Sequence, residues 1–139
     1  MRNRFLMPKA IFAFFILSNI VIVHVTGESA MQFVKDKKAV MIIASNNFRD
    51  EELLKPKEVL EKNGVAVTVA SSSLKEATGM LGAKVKPDIL FSDINVADYD
   101  TVIFVGGSGA NEYWDNPTAH KIANDANNAK KIVGAICIA

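Results

Sequence analysis

A doubly wound α/β fold with a mainly parallel sheet is predicted by three features of the sequence. Two short, continuously apolar runs suit strands buried on both faces. A helix rich in Glu, Leu and Lys joins the first of these to a β-branched run, and a second helix later in the chain carries its own start signal. Strands alternating with single helices imply right-handed crossovers.

The first run, AVMIIA at 39–44, is too short for a typical helix and is bounded by Ser45, Asn46 and Asn47. Residues 50–63 form the first predicted helix, ended by Asn63-Gly64, with glycine where a left-handed backbone is tolerated. The run VAVTVA at 65–70 completes a strand, helix, strand unit. Residues 71–86 carry turn signals without sustained periodicity, and residues 85–94 contain a short strand that Pro87 confines to an edge or to its own first residues. TVIFV at 101–105 is the second buried strand, closed by Gly106-Gly107-Ser108-Gly109. Asn116 is placed as an N-cap with Pro117 at the first helical position, and Ala119, Ile122, Ala123, Ala126 and Ala129 then form an apolar stripe. IVGAI at 132–136 leads directly into Cys137. Ligands of such sheets bind beyond the carboxyl ends of the strands, where the loops at 45–52 and 106–109 and the turn at Cys137 should meet.

The chain has 139 residues, half of them apolar, enough for one packed domain. Sixteen basic and fifteen acidic residues leave a net charge of +1, which argues against nucleic acid as a partner. Arg2, Arg4 and Lys9 precede an apolar run at 10–25 and then small and polar residues, the order of a secretory signal peptide. A membrane-spanning helix needs about 20 apolar residues, and this run is shorter and broken by Ser18, Asn19 and His24. The expected organisation is a signal peptide at 1–27, cleaved near Gly27, a linker at 28–37 and a domain at 38–139, hence a secreted or exported protein. An uncleaved segment would instead anchor the chain to a membrane, the only membrane contact expected, and a start at Met31 would leave it cytoplasmic.

One cysteine excludes an intrachain disulfide. By residue type alone a free cysteine reads as a core filler or as a reactive thiol. A cysteine where a buried strand turns into a helix meets free backbone N–H groups and the positive end of the helix dipole, which favour a thiolate. Gly134, Ala135 and Ala139 leave room for a sharp turn of the nucleophile-elbow kind, although the glycine pattern of the serine version is absent. Glu52 alone reads as a solvated member of the acidic first turn Asp50-Glu51-Glu52, and Gly106 to Gly109 as an ordinary tight loop without the dinucleotide spacing. Neither His24 nor His120 is placed as a catalytic base.

Three ordered segments, AVMIIASNNFRDEELLKP at 39–56, FVGG at 104–107 and AICIA at 135–139, resemble the DJ-1/PfpI (ThiJ/PfpI) superfamily, which is class I glutamine amidotransferase-like. The resemblance implies a flavodoxin-like three-layer sandwich. It makes Cys137 the reactive cysteine, Glu52 the carboxyl that hydrogen-bonds to it, and the N–H groups of Gly107 and Ile138 an oxyanion site. The implied chemistry, in full-length form, is glyoxalase-, deglycase- or hydrolase-like action on a small carbonyl or acyl substrate, with no cofactor or metal and with a homodimer as the assembly. The competing implications are a peroxide-sensitive or chaperone-like stress protein and an inactive fragment.

The sequence also departs from the family pattern. Ile138 stands where peptidase-like members carry histidine, which removes the obvious general base, and Val105 stands where proline is usual. Family domains continue past the elbow with a helix and further strands. The domain is therefore expected to be incomplete at its C-terminus, and the 139-residue chain alone to be poorly stable or inactive.

Overall fold

The structure, a computed structural model, describes residues 33–139. The expected signal peptide and the first part of the linker lie outside the described residues. In chain order the elements are β1 (Lys38–Ile43), β2 (Asn46–Phe48), α1 (Asp50–Lys62), β3 (Ala66–Ser71), β4 (Ala77–Gly79), β5 (Lys84–Val85) and β6 (Ile89–Leu90). They continue with β7 (Thr101–Phe104), α2 (Asn111–Trp114), α3 (Pro117–Asn128) and β8 (Ile132–Ala135). The main sheet has the order β6-β3-β1-β7-β8, and all its pairings are parallel.

The order places β1 at the centre, which is why its run is apolar without alternation. Successive side chains point to opposite faces. Met41 and Ile43 pack with Phe48, Leu53, Val69 and Val105 on the α1 side, whereas Val40 and Ile42 pack with Val102, Phe104, Ile122 and Ala126 on the α3 side. Both faces are thus buried, giving the expected three layers. On the α3 side, the rings of Phe104 and Tyr113 meet edge to face at 5.8 Å.

Both predicted helix signals act locally. The Asn116 side chain accepts from the N–H groups of Thr118 at 2.9 Å and Ala119 at 3.2 Å, while Pro117 occupies the first turn. At the end of α1, Gly64 has φ +82°; its N–H donates to Glu61 O at 3.0 Å and that of Val65 to Leu60 O at 3.0 Å, a Schellman closure. Helix α1 continues unbroken through Pro56, whose missing N–H leaves the Glu52 carbonyl without its usual helical donor.

The stretch without periodicity, 71–86, holds the short β4–β5 hairpin, which joins β2 in a second, three-stranded sheet. Strands of two or three residues are too short to carry a period. A buried charge holds them instead. Asp50, the first residue of α1, is only 5% exposed, and its carboxylate accepts from Leu81 N–H at 2.8 Å and Ala83 N–H at 2.7 Å. A β-carbon added at Gly79 would lie 2.5 Å from that carboxylate, so this glycine is needed for close approach. The strand after Pro87 is β6, at the sheet edge as Pro87 required. Strand β8 forms the opposite edge, with Ile132 exposed.

Burial pushes the Asp50 carboxyl up, but the N–H groups of Leu81 and Ala83, its own backbone N–H and Arg49 hold it below its ordinary 3.8. A depressed carboxyl contributes stability that is fully present above the unfolded value and is lost as pH falls through the folded one. Asp50→Asn should therefore cost about 1–3 kcal/mol at neutral pH. It should also flatten the loss of stability expected of the parent chain in urea titrations as pH falls below 3.8.

Candidate functional site

The carboxyl ends of β1, β7 and β8 bring three loops together. Strand β1 leads through β2 into the first turn of α1, which carries Glu52; β7 leads into the glycine loop; β8 leads into the turn at Cys137. Gly106 lies where they meet. Its carbonyl accepts from Arg49 N–H at 2.9 Å, and its own N–H donates to Glu52 Oε2 at 3.0 Å. A β-carbon at Gly106 would stand 2.5 Å from Ile136 O, 2.7 Å from Glu52 Oε2 and 3.0 Å from Cys137 Cβ. Glu52 Oε2 and Cys137 Cβ therefore flank the same empty position, separated by no more than the sum of the last two distances.

Cys137 is exposed and adopts φ +61°. A left-handed backbone costs a non-glycine residue about 1–2 kcal/mol. Ile136 N–H bonds to Phe104 O at 3.1 Å and Ala139 N–H to Ile136 O at 3.2 Å, so the turn around the cysteine is closed on both sides. Beyond it, the Ile138 carbonyl accepts from Trp114 Nε1 at 2.9 Å, and His120 Nε2 lies 2.7 Å from Trp114 O. Burial, with the Glu112 charge adding to it, pushes the nearby Tyr113 phenol far up; its hydroxyl donates to Ile42 O at 3.3 Å and remains a neutral structural group.

Gly107 has φ +107°, and a β-carbon there would come within 2.5 Å of Arg49 N and 2.6 Å of Asn47 O. Both the conformation and the close approach demand glycine. The N–H groups of Gly107 and Ile138 donate no backbone hydrogen bond among the described residues. Two cavities border this region. A polar one of about 430 Å³ is lined by Ser45, Asn46, Asn47, Ser108 and Glu112, whose Oε2 accepts from Ser45 N–H at 2.9 Å. An apolar one of about 480 Å³ lies between α3 and β8, walled by Phe104, Trp114, Ala123, Val133 and Ala139. Neither includes Cys137 or Glu52 in its wall.

The sequence profile of the DJ-1/PfpI family matches residues 37–139. The chain belongs to the DJ-1/PfpI family. It is 41% identical over 106 residues to the uncharacterized protein MJ0967 of Methanocaldococcus jannaschii, covering 76% of this chain and 52% of that one. To Deglycase PH1704 of Pyrococcus horikoshii it is 32% identical over 98 residues, covering 70% and 59%. The crystal structure of a ThiJ/PfpI domain protein from Brachyspira murdochii superposes with a TM-score of 0.70 at 32% identity, covering 73% of this chain and 58% of that one. The chain thus spans between half and three-fifths of the length of these relatives.

Glu52, Gly107, Cys137 and Ile138, the residues singled out in the sequence, all lie on these three loops. Sequence reasoning passed over Gly106, the residue on which Glu52 and Cys137 converge. Its signal was a glycine pair, of which only the second drew attention. Asp50 read as one of three first-turn acids, whereas its carboxylate is buried against the hairpin, where Gly79 at the end of β4 leaves room for it. Trp114, which holds the turn after the cysteine, had no readable signal at all.

Gly106→Ala should lower stability by about 1–3 kcal/mol through overpacking against a backbone carbonyl and a carboxylate. It should also change the alkylation rate of Cys137. Gly82→Ala is the control: it meets open space but has φ +96°. It should cost about 1 kcal/mol from backbone strain and leave alkylation unchanged.

Proposed function

We propose that this domain is a cysteine-dependent enzyme of glyoxalase, deglycase or hydrolase type acting on small carbonyl or acyl compounds, with Cys137 as nucleophile. The observation that carries the reading is the convergence of the Glu52 carboxylate and the Cys137 β-carbon on Gly106. The name of the Pyrococcus relative, a deglycase, supports carbonyl-directed chemistry.

In this reading the Cys137 sulfur adds to the carbonyl carbon; the S–C bond forms as the π electrons move to oxygen. The N–H groups of Gly107 and Ile138 supply the donors for that oxyanion. Glu52, oriented by the Gly106 N–H, relays the thiol proton to the oxygen. With methylglyoxal the aldehyde hydrogen of the thiohemiacetal then moves from C1 to C2 as a proton through an enediol, so that C1 becomes a thioester carbonyl as the C2 ketone becomes the alcohol. Water then cleaves the S–C bond, releasing lactate and the Cys137 thiol, so the net change is addition of one water with no external oxidant. The activity belongs to the protein in the length that its relatives have, and the N-terminal apolar segment directs it to export.

One feature favours a second reading, a peroxide-sensing thiol. Cys137 is exposed, while the nearest histidine along the chain, His120, lies against the Trp114 carbonyl and so is not offered as its base. Treating the protein and its Cys137→Ser variant with methylglyoxal, and separately with peroxide, discriminates the two. Lactate formation that the variant loses by about a hundredfold or more is the outcome expected of a catalytic nucleophile. Stoichiometric oxygen uptake on Cys137 without turnover would replace the enzyme with the sensor.

A further inference from the structure

Met80 stands at the tip of the β4–β5 hairpin, and its sulfur accepts the Ser108 N–H at 3.4 Å. A thioether is among the weakest acceptors in proteins. One N–H of the glycine loop beside the candidate site is therefore held by a partner that a better acceptor would outcompete. The backbone at Met80 is anchored to β2 and to the start of α1. Its N–H donates to Phe48 O at 2.9 Å, and the next N–H, from Leu81, is bound by the buried Asp50 carboxylate at 2.8 Å. The side chain is nonetheless 44% exposed, whereas Met41 is fully buried in β1. Among the described residues, Met80 and Cys137 are the two sulfurs open to solvent.

We propose that Met80 is an oxidant-sensitive sulfur, whose conversion to the sulfoxide alters the glycine loop and slows the reactions of Cys137. The oxidant is hydrogen peroxide. A sulfur lone pair attacks one peroxide oxygen, the S–O bond forms as the O–O bond breaks, and the second oxygen leaves as water; sulfur loses two electrons and peroxide gains them. The new oxygen is a far stronger acceptor than the thioether and grows from an atom already faced by the Ser108 N–H. It places a partial negative charge on the Ser108 N–H, one residue along the loop from Gly107, in competition with any anion that the loop would receive. The effect concerns the loop itself and does not require that Cys137 turn over a carbonyl.

The test uses the full chain with Cys137 protected as its mixed disulfide with thionitrobenzoate and exposed to hydrogen peroxide, one portion being digested with trypsin and the rest kept intact for alkylation. One oxygen should appear on the peptide 76–84, which holds Met80, about tenfold or more faster than on the peptide 39–49, which holds Met41. Dithiothreitol then frees Cys137 and leaves the sulfoxide in place. Alkylation of Cys137 by iodoacetate should now be about threefold or more slower than in unoxidised protein, the size expected from a competing hydrogen bond. The same treatment of Met80→Leu should leave the alkylation rate unchanged. Oxidation of Met80 no faster than that of Met41, an unchanged alkylation rate after oxidation, or slowing that persists in Met80→Leu would each overturn the proposal.

Discussion

The contact on which the site depends is the one made where a side chain is missing. At Gly106 the α-carbon faces the Ile136 carbonyl, the Glu52 carboxylate and the Cys137 β-carbon, and no β-carbon would fit among them. Its two backbone groups are spent in the same place, the carbonyl on Arg49 and the N–H on Glu52. A single residue thereby ties the end of β7 to the first turn of α1 and to the elbow after β8. The Gly106 N–H holds one Glu52 oxygen beside the cysteine turn, and that N–H is available because Gly106 follows Val105, whose N–H makes the last bond to β1 at Ile42 O.

Behind this junction stands the parallel sheet. The central position of β1 forces its side chains into both layers, and these hold α1 and α3 against opposite faces of the sheet. A carboxylate buried at the start of α1 then fastens the β4–β5 hairpin beside the site. Burying a charge is tolerated because two backbone N–H groups converge on it at the positive end of a helix. The hairpin tip in turn brings the Met80 sulfur to the loop. Core, hairpin and site are thus one chain of contacts rather than separate features.

Much of the fold was legible because its determinants are local. The apolar runs at 39–44 and 101–105, the Asn116-Pro117 start of α3 and the Asn63-Gly64 end of α1 each act within a few residues of themselves. Pro87 likewise marked an edge strand without reference to its neighbours. The hairpin at 77–85 escaped because strands so short have no period and depend on Asp50, roughly thirty residues away in sequence. The family motifs placed Glu52, Gly107 and Cys137, but a motif records residues and not the contacts among them, so Gly106 was passed over.

By itself, the sequence determined the α/β class, the parallel order of strands and helices, the family, and the loops on which chemistry could occur, because apolar periodicity, caps and turn residues are properties of short stretches. Only the tertiary structure decided that Glu52 and Cys137 converge on Gly106, that Asp50 is buried and depressed rather than solvated, and that Trp114 and Met80 border the site. Those outcomes depend on which distant segments become neighbours, and that is set by the packing of whole layers on the sheet.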